Sequence, residues 1–255
     1  MAEAKQEFKF PTEMVDLPSG GKIYGKDSPL YDGKIELKYM TAKEEDILTS
    51  QNLIKKGLVL EKLLNSLILT PGVTTNDLIT GDKNAVMVAA RILAYGPEYN
   101  AAIKHPDTGL EIDHDFNLAD CPFKELPDDV DYSENKFELE LPVSKSKIVF
   151  KILTGKDEKE IEEELKGYKK IKPQVTPELT TRLKKMIVSV DGESSKPSIN
   201  NFVDNMLSRD SIVFRNEISR IAPDIDMVQE IEMEGDSVRV TIPMTINFFW
   251  PSAKA

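Results

Sequence analysis

Glycines and lysines are interleaved in DLPSGGKIYGKDSPLYDGKIEL, a segment that begins at Asp16 and has the residue types of a phosphate-binding loop. A Walker-type loop needs four residues between its first glycine and a Gly-Lys-Ser/Thr sequence that opens a helix. Here Gly21-Lys22 is followed by Ile23-Tyr24, a strand pattern, so the helix N-terminus that completes an anion site is missing. A dinucleotide fingerprint at the start of a helix is absent as well. We interpret the glycines as turn residues, which disfavours nucleotide binding.

The two histidines and the single cysteine of the chain lie close together as His105, His114 and Cys121, with Asp113 beside them. These residue types are common ligands of transition metals. Their spacing does not fit a compact zinc site, and the adjacent Asp113 and His114 point to opposite faces of a strand. We therefore expect surface histidines and a buried free cysteine without a metal. The alternative is a small metal-binding module or enzyme centred on His105, His114 and Cys121.

Acidic residues are abundant, but their pattern does not indicate catalysis. The runs DDVDYSE, DEKEIEEE and EIEMEGD lack the apolar surroundings that raise a carboxyl pKa for acid catalysis, and such runs usually form solvated faces. The motifs G-x-S-x-G and H-E-x-x-H and an ordered Ser-His-Asp set are absent. We predict no catalytic residue, no cofactor and no enzymatic activity.

Three consecutive aromatic residues, Phe248, Phe249 and Trp250, lie near the C-terminus of the sequence. A large exposed aromatic cluster is unfavourable, so we expect these side chains to be buried. Two interpretations stay open: the residues close the protein's own core, or they dock into a partner as interface anchors. On the second interpretation, Tyr24 and Tyr31 belong to the same partner-binding set.

The composition limits the classes of partner. The 255 residues carry a formal net charge of −11, so most of the surface should repel nucleic acid and anionic membranes. A hydrophobic fraction of 40% suffices for a packed core. A single cysteine excludes an intrachain disulfide, and the apolar runs are too short to span a bilayer. Since no signal peptide is visible, we expect a soluble protein that is intracellular when made.

Strand patterns come first in the chain and helical patterns follow. GGKIY and GKIELKYM predict two strands of a hairpin, and the alternation in the second gives it one apolar face. Thr41 and Glu44 form a capping box, which predicts a helix that runs to a C-cap at Gly57. A second helix, LVLEKLLNSLIL, follows, and Asp82 is predicted to cap a third, KNAVMVAARILAYG.

The later segments predict a β region, further helices and a final hairpin. YNAAIKHPDTGLEIDHDFNL and the pair KFELELP and KIVFKIL each indicate two antiparallel strands. Helical patterns resume in KDEKEIEEELKGYKK, in TPELTTRLKKMIVSV and in the long run that Pro223 ends. MVQEIEMEGDSVRVTIPMTINFFWP indicates a hairpin, with apolar and polar residues alternating from Ser237 to Ile242.

These elements predict an α+β fold, a helical body in which the N- and C-terminal β-hairpins pack together. We expect residues 1–15 to form a flexible arm and residues 16–97 and 155–255 to form the main body. Residues 98–154 are expected to be a small antiparallel β module inserted into that body.

Motifs near the two ends of the chain resemble one known family. DLPSGGKIYGKDSPLYDGKIELKYMTAKEEDIL and VRVTIPMTINFFWP, with RDSIVFRNEISRIAPDID before the latter, are similar to sequences of the T4-like bacteriophage baseplate hub family, which includes a hub subunit and a hub assembly catalyst. The resemblance covers most of the chain from Asp16 to Pro251 and is most specific in LPSGGKIY, MTAKEEDIL and FFWP.

The sequence departs from this family in the middle β module. Many members carry paired cysteines there, as in a small zinc ribbon, but this chain has HPDTG at residues 105–109 where a CPxCG sequence would stand. The resemblance therefore implies a degenerate ribbon shape for the module, and metal binding does not carry over to this chain.

The resemblance implies a non-enzymatic protein that binds other baseplate hub or tail proteins, as a permanent part or as an assembly factor that leaves. It implies a location in the host cytoplasm during assembly and, for a permanent part, in the virion tail baseplate. Homo-oligomerisation stays open. The alternation in GKIELKY adds a hypothesis, that the N-terminal strands offer an edge for pairing with another chain. A general chaperone for a basic client is a third possibility, which the net charge of −11 also fits.

Overall fold

The computed structural model describes residues 11–105, 108–109, 111–171, 176–233, 235–244 and 246–250. This part of the chain contains eight α-helices and nine strands, and the strands form four small antiparallel sheets. Three of these sheets are simple hairpins of consecutive strands, the connection that antiparallel pairing favours. The predicted α+β class is confirmed.

The first hairpin pairs strand β1 (Thr12–Asp16) with strand β2 (Lys34–Lys38). The prediction that GGKIY is the partner strand is wrong, because Lys22–Tyr24 forms a 3-10 turn inside the long connection. Gly20 and Gly21 both have positive φ there, which turns the chain before a strand can start. Strand β1 begins within the segment expected to be an arm, and residues 1–10 lie outside the described residues.

Strand β2 is not the free edge that its alternation suggested. It lies between β1 and residues 68–70, since the Leu69 amide donates to the Glu36 carbonyl at 2.8 Å and Leu37 bridges to Ile68. Among the described residues, the edge of this sheet without a strand partner therefore belongs to β1.

Four helices follow the first hairpin: α1 (Ala42–Thr49), α2 (Gln51–Lys56), α3 (Val59–Leu67) and α4 (Thr80–Tyr95). The capping box at the start of α1 is confirmed, and the Glu44 carboxylate accepts from the Thr41 amide at 3.1 Å. The single helix predicted up to Gly57 is interrupted by the extended residue Ser50. Gly57 has φ 70°, the left-handed conformation expected of a C-cap glycine.

The middle of the chain forms a hairpin, a three-stranded sheet and two helices. The elements are β3 (Glu98–Lys104), β4 (Glu111–Asn117), β5 (Phe137–Glu140), β6 (Lys147–Phe150), α5 (Gly155–Ile171), α6 (Glu178–Met186) and β7 (Ile187–Val190). The order of the sheet is β5-β6-β7. The sequence did not predict β7, because its residues IVSV directly continue the helical pattern of α6.

The last elements are α7 (Lys196–Asp204), α8 (Ser208–Ile221), β8 (Val228–Met233), β9 (Asp236–Thr241) and a 3-10 turn (Ile246–Phe249). The long helical run before Pro223 is therefore two helices. Strands β8 and β9 form the predicted hairpin, and the alternation in β9 is confirmed because Val238, Val240 and Ile242 are buried while Arg239 is exposed.

The buried apolar side chains form two clusters. The first cluster collects residues from the β1–β2 hairpin, helices α1, α3 and α4, the β3–β4 and β8–β9 hairpins and the final 3-10 turn. The second joins the β5-β6-β7 sheet to helices α6, α7 and α8. The first and last hairpins thus share one core while forming separate sheets. The strands of residues 98–154 are divided between both clusters, which the sequence pattern did not indicate.

Helix α4 approaches the segment after α8 so closely that only glycine fits at the contact. A Cβ atom on Gly81 would lie 1.8 Å from the Pro223 carbonyl oxygen. Gly167, in helix α5, has open space around the position of its Cβ. Gly81 and Gly167 therefore differ in packing while sharing the same low helix propensity.

We predict that Gly81→Ala lowers the free energy of unfolding by about 1–3 kcal/mol, because the added methyl group forces α4 away from Pro223. The matched control Gly167→Ala should raise it by about 0.5–1 kcal/mol through helix propensity alone. Urea unfolding followed by circular dichroism measures both. Equal effects of the two substitutions would contradict the close approach.

Candidate functional site

Helix α4 carries two buried charged side chains near its opposite ends. Asp82 lies in the first turn with 0% exposure, and Arg91 lies towards the C-terminal end with 3% exposure. The prediction that Asp82 caps the helix is wrong: the N-cap is Ile79, and the Asp82 side chain points away into the protein. An acid near the N-terminus and a base near the C-terminus both fit the helix dipole.

The Asp82 carboxylate binds the glycine-rich loop between β1 and β2. It accepts from the Ser19 amide at 2.9 Å and from the Ser19 hydroxyl at 2.6 Å. The Tyr24 hydroxyl also donates to this carboxylate, and the same hydroxyl accepts from the Ile79 amide at 3.0 Å. Three donors from one loop therefore surround a single buried acid.

The protonation states follow from burial. Desolvation raises the pKa of the Asp82 carboxyl above its ordinary value of 3.8, against the lowering effect of its hydrogen-bond donors. Desolvation and the nearby Asp82 charge raise the pKa of the Tyr24 phenol well above its ordinary value of 10.0. The Tyr24 hydroxyl therefore stays protonated and donates a hydrogen bond to the Asp82 carboxylate.

The interpretation of the glycines as turn residues is confirmed. Gly21 and Gly33 have φ angles of 80° and 69°, and their backbones pass close to other parts of the loop. A Cβ on Gly21 would lie 2.2 Å from the Leu30 carbonyl oxygen, and one on Gly33 would lie 2.6 Å from the Gly20 carbonyl carbon. The Ser19 and Tyr24 donors of the loop are already bonded to the Asp82 carboxylate, whose negative charge would also repel a phosphate group.

Arg91 holds the C-terminal aromatic segment. Its guanidinium donates to the backbone carbonyls of Phe248 at 2.9 Å, Gly96 at 2.9 Å and Glu98 at 3.1 Å. Its Cζ atom lies 5.1 Å from the centroid of the Tyr95 ring, within cation–π range. Burial is the largest influence on this group and lowers the pKa of the guanidinium below its ordinary value.

The five residues predicted to bind a partner differ in how exposed their side chains are. Phe248 and Phe249 are each 1% exposed, and the Phe248 ring makes edge contacts with Tyr99 at 5.1 Å and with Phe249 at 5.4 Å. Trp250 is partly buried against the first cluster, and Tyr24 is partly buried over Asp82. Of the two interpretations of the aromatic segment, the geometry favours closure of the protein's own core.

Tyr31 is the member of that set with the greatest exposure, at 36%. Its amide donates to the Ser28 carbonyl at 3.0 Å, so the backbone that carries the ring is fixed within the loop.

The candidate metal ligands are not assembled into a site. The expectation of a surface position is wrong for His105, which is buried and whose Nδ1 atom accepts from the Thr108 amide at 3.2 Å. His114 packs against Phe116 with a ring separation of 4.7 Å, and the Cys121 sulfur accepts from Gln229 at 3.6 Å. Within the described ranges, no three His, Cys, Asp or Glu side chains are grouped to hold a metal ion. The metal-centred alternative is therefore not supported.

The buried carboxylates support chain geometry. Besides Asp82, the described residues include three such acids, each bonded to donors of this chain. Glu44 accepts from Lys38 at 2.7 Å, Asp157 accepts from Lys151 at 2.7 Å, and Asp210 accepts from the Val143 amide at 2.8 Å. Each of these three contacts lowers the pKa of its carboxyl against the opposing effect of burial.

The roles of Asp82 and Arg91 were not predicted from sequence, although the pattern of helix α4 contained a signal for both. We call these two buried charged residues the anchors. Asp82 lies four residues before Val86, and Arg91 lies three residues after Val88, so both charged residues are on buried faces of an amphipathic helix. A charge on an apolar helix face requires internal partners, which the sequence does not identify.

The fold is of the α+β class, and the buried Asp82 and Arg91 side chains bind segments of its own chain. The family model of T4 bacteriophage base plate proteins matches residues 9–250, and the chain belongs to that family. It is a T4-like phage baseplate protein. No curated protein and no solved structure shows a significant match. Among the helices that the structure describes, none is both long and apolar enough to cross a membrane.

We predict that Tyr24→Phe lowers the free energy of unfolding by about 1–3 kcal/mol, because it removes a donor to buried Asp82 and the acceptor of the Ile79 amide. Tyr31→Phe removes the same atom from an exposed ring and should change stability by less than about 0.5 kcal/mol. Urea unfolding at neutral pH compares the two. If the variants are equally stable, the Tyr24 hydroxyl does not hold the loop.

A further prediction concerns the pH dependence of stability. Because the folded pKa of Asp82 is above 3.8, the folded state binds this proton more tightly than the unfolded chain. This contribution to stability is full below pH 3.8 and is lost as the pH rises through the folded pKa. The stability advantage of the wild type over Asp82→Asn should therefore be larger at about pH 4 than at about pH 7 in urea unfolding.

Contributions from Glu44, Asp157 and Asp210 have the opposite sign, but they are common to both proteins and cancel in this difference. An advantage that grew towards neutral pH would show that the three donors, rather than desolvation, control the Asp82 carboxyl.

Proposed function

We propose that this baseplate protein is a non-enzymatic hub component or hub assembly factor that binds other phage tail proteins. The observation that carries the proposal is the family match over residues 9–250. The described buried carboxylates add support, since each is bonded to donors of this chain in a way that maintains loops and helix ends. The proposed location is the host cytoplasm during assembly and, for a permanent component, the virion tail baseplate.

The partners we propose are other baseplate hub or tail proteins rather than nucleic acid or membranes. The net charge of −11 disfavours polyanions over most of the surface. A homo-oligomer is compatible with the proposal. Permanent subunit and transient assembly factor are the two forms of the same function, and they differ in whether the protein stays in the finished particle.

Tyr31 is the contact residue that we propose from the aromatic set. Its ring is exposed on a loop that hydrogen bonds to Asp82 hold in place. A fixed loop loses less conformational entropy when the ring binds a partner. Trp250, partly buried, offers a second contact, whereas Phe248 and Phe249 support the surface from inside the core. A rigid aromatic side chain in a solvated setting is a common interface anchor.

We expect an affinity-tagged copy, expressed in infected cells, to co-purify with phage baseplate proteins identified by mass spectrometry. Tyr31→Ala should reduce that yield about fivefold or more, as loss of an interface anchor does. The control is Tyr168→Ala, which removes an equally exposed tyrosine, 39% exposed, from helix α5. Mass spectrometry of mature particles and of intermediates then separates the two forms: presence in intermediates alone indicates an assembly factor.

Two results would contradict the proposal. If the wild type captures no phage tail protein, the proposed function itself is contradicted. Equal yields for Tyr31→Ala and Tyr168→Ala would remove Tyr31 from the interface and leave the function standing.

A further inference from the structure

Two strand edges line a cleft on the surface of the first cluster. Its volume is about 320 Å³, and it is lined by residues 102–104 of β3 and by residues 239–241 of β9 with Pro243. In the described chain, β3 pairs with β4 and β9 pairs with β8, so each of the two strands has one edge without a strand partner. We call this surface the β3–β9 cleft.

The register shows which backbone groups of β3 face the cleft. The Leu118 amide donates to the Pro97 carbonyl at 2.9 Å, so this pair is a hydrogen-bonded one. Hydrogen-bonded pairs alternate along an antiparallel ladder. The amides and carbonyls of Asn100, Ala102 and Lys104 therefore point away from β4. Ala102 and Lys104 are the two of these that line the cleft.

The same argument applies to β9. The Ile242 amide donates to the Met227 carbonyl at 2.8 Å, which makes this pair hydrogen-bonded. By alternation, the backbone groups of Ser237, Arg239 and Thr241 point away from β8. On both sides of the cleft, backbone donors and acceptors thus point away from the partner strand of the hairpin.

The two edges run in opposite directions and are joined at one end. The Tyr99 hydroxyl donates to the Pro243 carbonyl at 2.9 Å, and from there residues 102–104 lie opposite residues 239–241. One inserted strand would pair with β3 on one side and with β9 on the other. The two hairpins would then form a continuous five-stranded sheet. The exposed edge of β1, in contrast, offers pairing on a single side.

The side chains indicate the chemistry of the occupant. Ile103 and Val240, 6% and 8% exposed, form the apolar floor of the cleft. Lys104 and Arg239 are exposed on the two strands that line the cleft, and their cross-strand neighbours Glu111 and Glu230 lie one strand farther from it. Lys104 pairs with Glu111 at 3.4 Å, but both side chains are more than half exposed, so exchange of this partner costs little. A strand that alternates apolar with acidic residues matches both features.

We propose that the β3–β9 cleft binds an extended segment of another phage tail protein, in which apolar residues alternate with acidic ones. Binding adds a strand between the two hairpins, with main-chain hydrogen bonds to both edges. This inference rests on the proposed function, because it specifies how this protein holds a tail partner.

Amide hydrogen exchange tests strand addition directly. In the free protein the amides of Ala102, Lys104, Arg239 and Thr241 should exchange rapidly, as edge amides do. In the complex with the tail protein captured by the tagged chain, their exchange should slow about tenfold or more, while the outward amide of Met14 on β1 should not change. Short synthetic peptides that tile the captured protein then locate the segment that reproduces this protection.

Two kinds of variant test the backbone and the charged side chains of the cleft. Ala102→Pro removes an amide that makes no bond to β4, a position where an edge strand tolerates proline. Lys104→Glu with Arg239→Glu reverses the charge of both exposed side chains. Each should lower capture about tenfold. The control for the proline is Met14→Pro on the β1 edge. The control for the charge is Lys34→Glu, which breaks the exposed pair with Asp16.

The outcomes separate the cleft from the function. If the wild type captures a tail protein while the cleft amides stay unprotected and the variants bind normally, the cleft proposal is overturned and the proposed function stands. If no tail protein is captured, the proposed function fails. Protection that appears in the free protein and depends on its concentration assigns the cleft to a second copy. Protection lost on deletion of residues 1–10 assigns it to this chain. Either result overturns the cleft proposal.

A melting temperature close to that of the wild type confirms that Ala102→Pro is folded. If it is not folded, the charge-reversed variant decides the question alone, because the Lys104 and Arg239 side chains are exposed and can be changed without disturbing the core.

Discussion

The constraint on which this fold depends is the burial of two charged side chains on helix α4. Asp82 is 0% exposed and Arg91 is 3% exposed, so water cannot solvate either group. A buried charge without hydrogen-bond partners costs several kcal/mol, and the chain supplies the partners itself. The N-terminal loop supplies donors through Ser19 and Tyr24, and the C-terminal turn supplies the Phe248 carbonyl. One helix therefore holds segments that are more than 150 residues apart in sequence.

This arrangement explains why the residues with the most suggestive chemistry have internal roles. The glycine-rich loop has the composition of an anion site, and the anion that its donors bind is the Asp82 carboxylate of this chain. The aromatic C-terminal segment has the composition of an interface, but Phe248 and Phe249 fill the first cluster. Tyr31 stays exposed on the N-terminal loop, and β3 and β9 each keep an edge without a strand partner among the described residues. Exposed loops and unpaired strand edges are both surfaces through which proteins bind one another.

The features predicted correctly from sequence are those that neighbouring residues control. The Thr41–Glu44 capping box, the Gly57 C-cap and the alternation of Val238 and Val240 each depend on contacts within a few residues or across one hairpin. The errors have two causes. GGKIY forms a 3-10 turn because Gly20 and Gly21 have positive φ, and its tyrosine is then bonded to Asp82. IVSV forms β7, paired with β6, so there a contact with a distant strand overrode the helical pattern.

By itself, the sequence determined the α+β class, most helix and strand positions, the acidic surface and the likeness to baseplate proteins. Local hydrogen bonding and hydrophobic periodicity are sufficient to specify these features. The tertiary structure alone decided which groups Asp82 and Arg91 bind, that residues 98–154 contribute to two cores, and that residues of β3 and β9 line one cleft. The reason is physical: which donor meets a buried charge, and which strand edge stays unpaired, depends on the packing of segments that are remote in sequence.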